Sequence, residues 1–258
     1  MLSLRKGRYA ARLAETAEDL AAAQALRGRA FRGAGRGDEV AGGGAETAAP
    51  RDHDAFDADC RHVLVEETRS GTLVCCFRLL PLRDGAELHK SYAAQYYELS
   101  ALGHFPGKMV EMGRFCLDPD WHDPDILRVA WGAMTRFVDA EGVEMLFGCS
   151  SFLGTETEAY LDAFAMLRAR HIAPRRWLPR VKAPDVFCFG RLLRGRQPDA
   201  KQAMLRMPPL LRTYLMMGGW VSDHAVVDRD LNTLHVFTGL EIRAIPPARA
   251  RLLREVAG

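Results

Sequence analysis

Hydrophobic residues recur at helical spacing in three stretches of the chain, Thr16–Arg32, Pro124–Ala140 and Thr157–Arg170. In each stretch the apolar side chains return every three or four residues, which places them on one face of a helix. Around the second stretch, Asp123 is a favourable N-cap and Pro124 suits the first helical position. Gly142 is a favourable terminator. The pattern therefore predicts three amphipathic helices.

Other apolar runs are short and rich in residues that favour strands. His62–Glu66 and Thr72–Leu80 are separated by an Arg-Ser-Gly turn, which predicts a β-hairpin. Further strands are predicted at Met109–Leu117, at the wholly apolar Met145–Cys149, at Val186–Phe189 and at Thr233–Phe237. Hairpin, strand, helix, strand, helix is the layout of an α+β or α/β domain, and without an internal repeat we expect residues 1–258 to form one domain.

Composition narrows the class of protein. The chain has 258 residues, of which 48% are hydrophobic and 26% charged, as in ordinary globular proteins. It has no apolar run near the ~20 residues that cross a bilayer. Six cysteines without a CxxC pair favour reduced thiols and a cytosolic location. The Gly- and Ala-rich stretch Gly33–Pro50 predicts a mobile loop.

A formal net charge of +2 conceals an asymmetry. Residues 163–222 contain twelve Lys and Arg against two Asp, a charge of +10, so the remainder of the chain carries −8. A difference of this size favours an anionic partner for the basic segment over a merely solvated face. The segment has no nucleic-acid-binding motif, so we do not expect a nucleic-acid partner.

Glu111 is the most informative candidate for chemistry. A carboxylate inside the apolar run MVEMGRFCL is costly to bury without a partner. It could act as a general base, or it could form a buried ion pair with an arginine such as Arg78, and the local sequence does not separate these readings. Arg114 lies three residues on, so an ideal strand directs it to the opposite face unless Gly113 hosts a bulge.

The remaining polar candidates are less specific. Asp54 and Asp57 are read first as turn-capping residues. Arg78 lies in the apolar run VCCFRLLP and so needs a carboxylate partner. The histidines lack metal-ligand spacing, so no metal site is expected. Cys149 is read as a buried thiol rather than a nucleophile.

Four motifs occur in an informative order, namely RxxxF, DxxD after the glycine-rich stretch, RLLP closing a strand, and ExxRF within a strand. They match Arg27 with Phe31, Asp54 with Asp57, Arg78, and Glu111 with Arg114. This order resembles that of the acyl-homoserine-lactone synthases. Longer blocks resemble the bacterial L-ornithine Nα-acyltransferases of ornithine-lipid synthesis, namely RFCLDPDWHDPDILRVAWGAMTRFVDAEGVEMLFGCSSF, RRWLPRVKAP and MPPLLRTYLMMGGWVSDHAVVDRDLNTLHVFTGLEI.

The resemblance implies an N-acetyltransferase-like α+β (α/β/α) fold, with a mixed twisted sheet flanked by helices. It also implies transfer of a 3-hydroxy fatty acyl group from acyl carrier protein to the α-amino group of ornithine, giving lyso-ornithine lipid, with no bound cofactor. The Q/R-x-x-G-x-G/A loop that binds the phosphates of coenzyme A is missing, since Arg128–Ala133 has the wrong spacing. This departure favours acyl carrier protein as the donor.

Roles follow from the same resemblance. Glu111 would deprotonate the amine, directly or through water, and Arg114 with Arg78 would order it and the acidic pair. Asp54 and Asp57 would hold the cationic ends of ornithine and close Gly33–Pro50 as a lid. Substrate-binding assignments also cover Arg27, Phe31, Asp228 and Asp230, the last two equally readable as turn residues.

On the donor side, two neighbouring parallel strands, Met109–Leu117 and Met145–Cys149, would splay apart and bind the pantetheine arm. A backbone N–H near Phe115–Leu117 would polarise the thioester. The residues assigned to the acyl donor are Phe115, Leu117, Ser150, Arg175, Arg176, Arg180 and Lys182.

An acidic carrier protein and an anionic membrane surface are both expected partners of the basic segment. Pro208–Val221 would suit an interfacial segment, although core packing is slightly favoured. The expected location is the cytoplasm, peripheral to the inner face of the membrane. The alternatives are acylation of another amino acid such as glutamine, lactone formation, or a non-catalytic module that binds acyl carrier protein and membrane.

Overall fold

Eleven strands and seven α-helices lie in the part of the chain that the computed structural model describes, residues 2–32 and 51–258. The strands are β1 Ser3–Lys6, β2 Tyr9–Leu13, β3 Arg61–Glu67, β4 Leu73–Leu82, β5 Tyr97–Glu98, β6 Met109–Leu117, β7 Met145–Leu153, β8 Arg180–Val181, β9 Val186–Phe187, β10 Trp220–Asp228 and β11 Thr233–Glu241. The helices are α1 Ala17–Arg32, α2 Pro124–Glu141, α3 Leu161–Arg170, α4 Phe189–Leu192, α5 Ala200–Arg206, α6 Pro209–Met216 and α7 Pro247–Ala257.

The residues fall into two compact units. The first unit comprises Met1–Leu80, Met112–Gly142 and Ala248–Gly258, and the second comprises Pro81–Glu111 and Val143–Pro247. The division passes through β6, whose first three residues belong to the second unit. Each unit has its own strands, helices and apolar interior.

In the first unit, β1, β2, β3 and β4 pair in that order, each antiparallel to the next. Helix α1 begins where Thr16 Oγ1 accepts the N–H of Asp19 at 3.2 Å, and Asp19 Oδ2 accepts the N–H of Glu15 at 2.9 Å. This reciprocal capping satisfies backbone donors that the first turn leaves over. The buried face of α1 packs through Ala23 and Leu26 on Leu64, Cys76 and Cys116.

Helix α2 shows how local signals set an element. Asp123 accepts the N–H of Asp125 at 2.9 Å, and Gly142 ends the helix at a φ of +64°, a left-handed conformation that glycine adopts at little cost. The helix has a continuous buried face that includes Ile126, Trp131 and Phe137. These caps and this face are those predicted from the sequence.

In the second unit, the first three residues of β6 are followed across the sheet by β7, β11, β10 and β9. Strands β6 and β7 are parallel, as predicted, through three residue pairs from Met109–Met145 to Glu111–Phe147. Strand β7 is antiparallel to β11 through nine pairs, and β10 pairs with β11 around an irregularity between Val221 and Ala225. Short strands β5 and β8 form a separate antiparallel pair.

One face of these strands carries an apolar core of the second unit. Phe152, Leu234 and Val236 of the sheet pack with Phe164 of α3 and Phe189 of α4. Residues from α5 and α6 complete the core with Ala203, Met207 and Leu211. The basic segment 163–222 thus supplies the buried side of several helices while its charged residues lie outside.

Most predicted elements are confirmed. The hairpin is β3–β4, the bounds of β6 are those predicted, and α2 ends one residue later than predicted. The Thr157–Arg170 helix begins as a 3-10 turn and becomes α-helical at Leu161. The Gly33–Pro50 prediction lies outside the described residues.

One expectation needs correction. The strand predicted to reach Phe189 ends at Phe187, because the chain turns into α4 and buries the Phe189 ring against Phe164, with ring centroids 5.1 Å apart. Pro208–Val221 is largely core, the interpretation that the sequence slightly favoured, since Leu211, Tyr214 and Val221 are buried, although Met216 is exposed. No α-helix in residues 2–32 and 51–258 is long and apolar enough to cross a bilayer.

Candidate active site

Six charged side chains of the first unit form a closed ring in which positive and negative groups alternate. The three arginines come from α1, β4 and β6, and the three aspartates come from the segment that follows residue 50. In order around this charge ring the members are Arg27, Asp57, Arg78, Asp54, Arg114 and Asp52. Every member contacts two groups of opposite charge, so the ring has no net formal charge.

Arg27 is the most buried member, with 1% of its surface exposed. Its Nη1 and Nη2 donate to the two oxygens of Asp57 at 2.8 and 2.7 Å, a bidentate pair. Its Nε lies 3.0 Å from Asp52 Oδ2 and also donates to the Asp52 carbonyl at 3.2 Å. Helix α1 is thereby fastened to both ends of the aspartate segment.

Arg78 and Arg114 close the other side of the charge ring. Arg78 Nη1 lies 2.5 Å from Asp54 Oδ1 and 2.7 Å from Asp57 Oδ1, while its Nη2 donates to Asp54 Oδ2 at 2.8 Å. Arg114 Nε donates to Asp52 at 3.0 Å and its Nη2 to Asp54 at 3.1 Å. The prediction that Arg78 has a carboxylate partner is confirmed.

The guanidinium groups change the titration of the acids. Burial alone would raise the pKa of Asp57, but the hydrogen bonds from Arg27 and Arg78 outweigh it and hold that pKa well below its ordinary value. The pKa of Asp54 is lowered against burial in the same way by Arg78. Both carboxylates are therefore ionised at neutral pH. An ammonium ion would have to compete with two guanidinium groups for either one.

Backbone strain places Arg114 in the charge ring. Its φ is +52°, in the left-handed region that side-chain-bearing residues rarely adopt. This turn of the backbone redirects the Arg114 side chain from the alternation of an ideal strand. The sequence offered Gly113 as a possible site of a bulge, and the left-handed residue is its neighbour Arg114. A Cβ at Gly113 would lie 3.5 Å from Arg78 Nε, in ordinary contact.

Glu111 lies in the second unit with 5% of its surface exposed. Its Oε2 accepts the N–H of Tyr92 at 2.8 Å, and its Oε1 accepts the N–H of Ala93 at 2.8 Å. These donors stand at the start of the 3-10 turn Ala93–Gln95, where backbone N–H groups lack partners within the turn. Two charge-assisted hydrogen bonds therefore fix the orientation of the carboxylate.

The turn that holds Glu111 is itself fastened by the basic segment. Strand β5 pairs with β8, matching Glu98 with Arg180, whose Nε is 3.8 Å from Glu98 Oε2. Lys182 Nζ donates to the Ala94 carbonyl at 2.6 Å. Arg180 and Lys182, assigned from the sequence to the acyl donor, thus contact the segment beside Glu111.

The other residues assigned to the acyl donor are spread over both units. Arg175 is exposed, and Arg176 lies over the Trp177 ring and 3.4 Å from Glu241. Phe115 stacks on Phe77 with centroids 5.4 Å apart, and 37% of Leu117 is exposed. Ser150 is buried, with its Oγ 2.9 Å from Thr238 Oγ1. Their assignment stays a prediction.

The remaining substrate-binding candidates also come from both units. Phe31 is half-buried against the apolar cluster under α1. Asp228 Oδ1 accepts the N–H of Leu231 at 2.9 Å, as expected of a turn residue, and Asp230 is exposed. Within residues 2–32 and 51–258 there is no cluster of three or more His, Cys, Asp or Glu side chains that could hold a metal ion.

Two features of the site were missed from the sequence. Asp52 was not assigned a role, although it stands in the same DHDAFD run as the other two aspartates. The backbone N–H groups of Tyr92 and Ala93 have no residue-type signature, so no motif could have revealed them. They were accessible only through the fold.

The chain is similar in sequence to known acyltransferases. Residues 26–132 match the acetyltransferase (GNAT) domain family. The chain is 31% identical over 244 residues to the L-ornithine N(alpha)-acyltransferase of Rhodobacter capsulatus, covering 92% of this chain and 91% of the relative. It is 29% identical over 243 residues to the L-ornithine N(alpha)-acyltransferase of Rhizobium meliloti, covering 91% of this chain and 80% of the relative.

A solved structure supports the fold. An N-acyl amino acid synthase from uncultured soil microbes superposes with a TM-score of 0.51 at 11% identity, covering 92% of this chain and 94% of that one. The expected N-acetyltransferase-like fold, a mixed sheet flanked by helices, is therefore confirmed. Taken with the sequence identity over nearly the whole chain, it shows that the protein is an acyltransferase of amino acids and belongs to the L-ornithine Nα-acyltransferase family.

Proposed function

We propose that the chain transfers a 3-hydroxyacyl group from acyl carrier protein to the α-amino group of L-ornithine, giving lyso-ornithine lipid. The observation that carries this proposal is the 31% identity, over 92% of the chain, to a relative named L-ornithine N(alpha)-acyltransferase. The missing phosphate-binding loop of coenzyme-A-dependent relatives favours acyl carrier protein as donor.

Glu111 is the proposed general base. The Tyr92 and Ala93 N–H groups each donate to one oxygen of its carboxylate. The anchoring fixes the ionised group in a buried environment, which is the state that accepts a proton. It also stops the side chain from rotating away during the reaction.

Strand β7 is the proposed docking edge for the pantetheine arm. It bonds to β11 through nine residue pairs but to β6 through only three, which end at Glu111–Phe147. Backbone groups of Gly148–Leu153 on the side away from β11 could pair with the arm's amide groups, as an added strand does. The thioester would then lie near the end of β6–β7 pairing, where Glu111 is located.

The reaction needs no acyl-enzyme. The ornithine α-ammonium loses a proton to Glu111, directly or through a water molecule, and the neutral nitrogen attacks the thioester carbonyl carbon. The tetrahedral intermediate collapses as the carbon–sulfur bond breaks. The nitrogen then gives its second proton to the departing pantetheine thiolate, and Glu111 releases the first proton to water, which restores the carboxylate. Atoms and charges balance without a further reactant.

The basic segment offers the surface for the acidic carrier. In the described residues, the exposed cations of this segment without an ion-pair partner are Arg170, Arg175, Lys182, Arg191, Arg194, Lys201 and Arg206. Exposed apolar side chains occur in the same segment, namely Leu192 (59%), Met204 (43%), Leu205 (69%) and Met216 (51%). Cations attract an acidic carrier, and cations mixed with apolar groups also favour an anionic membrane, so we propose peripheral contact with the cytoplasmic leaflet.

Donor competition tests the proposal. The purified chain is supplied with 3-hydroxyacyl-acyl carrier protein or 3-hydroxyacyl-coenzyme A, together with ornithine, glutamine or lysine. We expect acyl-ornithine as the main product and acyl carrier protein as the preferred donor. Equal or better use of the coenzyme A thioester contradicts the donor assignment, and preference for glutamine contradicts the acceptor assignment.

Charge reversal tests the surface. The triple variant Arg191→Glu, Arg194→Glu, Arg206→Glu should raise KM for the carrier-bound donor and weaken binding to anionic vesicles at low salt. The triple variant Arg5→Glu, Arg69→Glu, Arg251→Glu, at exposed positions outside the segment, is the matched control. Equal KM values and equal vesicle binding for the two variants would contradict the surface assignment.

A further inference from the structure

Buried polar atoms without a hydrogen-bond partner are concentrated on one hairpin, β10–β11. In the described part of the chain these atoms include Trp220 Nε1, His224 Nε2, Thr233 Oγ1 and His235 Nε2. The histidines are almost wholly buried, with 1% and 2% of their surfaces exposed. Buried polar side chains nearly always have partners, so a group of orphaned atoms on one hairpin points to a ligand.

The hydrogen bonds of His235 determine which of its nitrogens is an acceptor. The Tyr97 hydroxyl donates to the His235 carbonyl at 2.8 Å and lies 3.1 Å from His235 Nδ1. A carbonyl oxygen can only accept, so it takes the single hydroxyl hydrogen, and Nδ1 must donate to the Tyr97 oxygen. His235 Nε2 therefore presents a lone pair.

His224 reaches the same state through a carboxylate. Its Nδ1 lies 2.9 Å from Asp223 Oδ1, and an ionised carboxylate can only accept. In the neutral form of the ring the hydrogen is therefore on Nδ1, and Nε2 again presents a lone pair. Two buried imidazoles thus offer acceptors and no donor.

Both rings lie beside Tyr97 on the face of the sheet that carries Glu111. The centroid of the Tyr97 ring is 5.2 Å from His224 and 5.7 Å from His235. The register pairs Glu111 with Phe147 and Ser151 with His235, and paired or alternate residues of neighbouring strands share a face. The Tyr92–Tyr97 segment therefore links the backbone donors of Glu111 to the histidine pair.

We infer that His224 and His235 bind the distal ammonium group of the acceptor amino acid. This inference rests on the proposed function, in which the acceptor has a second amine. An ammonium group carries three donors and can therefore satisfy two acceptors, whereas a hydroxyl carries one. Asp223 behind His224 supplies the compensating negative charge, while the aspartates of the charge ring already face guanidinium groups.

His235 stays neutral under working conditions. Burial, together with the proximity of His224, lowers the pKa of His235 to about 4. A neutral ring can accept from a cation, whereas a protonated one would repel it. The half-buried Tyr96 ring packs edge-on over His235 with centroids 5.0 Å apart, so the ligand would enter by displacing this ring.

Norvaline is the matched probe, because it is ornithine without the distal amine. In His235→Phe the ratio of kcat/KM for ornithine to that for norvaline should fall at least about tenfold, as expected when a charged hydrogen bond is lost. His235→Gln, which places an amide near the position of Nε2, should restore part of the ratio. His171→Phe, a half-buried histidine at the end of α3, is the control. A ratio in His235→Phe within twofold of wild type overturns the inference.

A measurement on the wild-type chain does not depend on the folding of a variant. With 15N-labelled histidine, ornithine should shift the Nε2 resonances of His224 and His235, and norvaline should not. Equal shifts from both amino acids, or no shift from either, overturn the inference. Acylation of ornithine without such shifts refutes this subsite alone, whereas an ornithine-specific shift without any acylation supports the subsite and refutes the proposed function.

Discussion

Replacing Asp57 by Asn removes one negative charge from the charge ring and leaves two buried guanidinium groups short of a partner. Asp57 accepts from Arg27 at 2.8 and 2.7 Å and from Arg78 at 2.7 Å. The two arginines are only 1% and 3% exposed, so water cannot replace the lost carboxylate. An asparagine can still accept a hydrogen bond, but it brings no charge.

The magnitude follows from burial. Removing one partner of a buried ion pair costs about 3–5 kcal/mol, because the remaining charge stays desolvated. For a chain of this size about 1 kcal/mol corresponds to a shift of about 2–4 °C in melting temperature. Asp57→Asn should therefore lower the melting temperature by about 6–20 °C.

Thermal unfolding of the full chain at pH 7, followed by circular dichroism, measures this change. Asp139→Asn is the matched control, because it breaks a surface pair with Arg254, whose side chains are 44% and 59% exposed. We expect the control shift to be less than a quarter of the Asp57→Asn shift. Equal shifts for the two variants, or an Asp57→Asn shift below about 3 °C, would refute the account of the charge ring.

The other predictions concern catalysis, acid stability and thiols. Glu111→Gln should lower kcat about 10²–10⁴-fold, as loss of a general base does. Glu87→Gln, in the 3-10 turn Gly85–Lys90, should leave kcat unchanged. More than about a tenth of wild-type kcat in Glu111→Gln would rule out the base. The pKa of Asp57 is lowered on folding, so its contribution is complete above the ordinary pKa of about 3.9 and is lost as pH falls through the folded-state value. The wild-type melting temperature should therefore fall more steeply below about pH 4 than that of Asp57→Asn, and parallel curves would contradict this. Burial raises the pKa of the Cys75 thiol, and the neighbouring Cys76 together with burial raises the pKa of the Cys116 thiol. Both thiols should therefore react with a thiol reagent only after the chain unfolds. Rapid labelling of either thiol in the native chain, read by mass spectrometry, would contradict the packing described for them.

Elements with local signals were predictable from the sequence. Helix α2 has its N-cap, its first-turn proline and its terminating glycine in a continuous run, and β6 is a single apolar stretch, so their bounds follow directly. Strands β1, β2 and β10 were not predicted. Strand β10 contains Ser222, Asp223 and His224 at the irregularity in its pairing, which hides the apolar alternation. Helices α5 and α6 are short, and their burial depends on α3 rather than on their own pattern.

The candidate site was predictable as a set of residues but not as a set of contacts. The order of motifs identified five of the six members of the charge ring, because charged residues in apolar runs must be paired. Which carboxylate meets which guanidinium depends on the left-handed turn at Arg114. The anchoring of Glu111 by backbone N–H groups depends on a turn nearly twenty residues away in sequence, whose donors are independent of residue type.

The most direct test of the central claim is the position of the acyl group in the product. The purified chain is incubated with 3-hydroxyacyl-acyl carrier protein and ornithine, and the product is fragmented in a mass spectrometer. The account predicts a single amide at the α-nitrogen, formed in equal amount to the free carrier thiol. Acylation at the distal nitrogen, or release of thiol without an acyl-ornithine product, would contradict it.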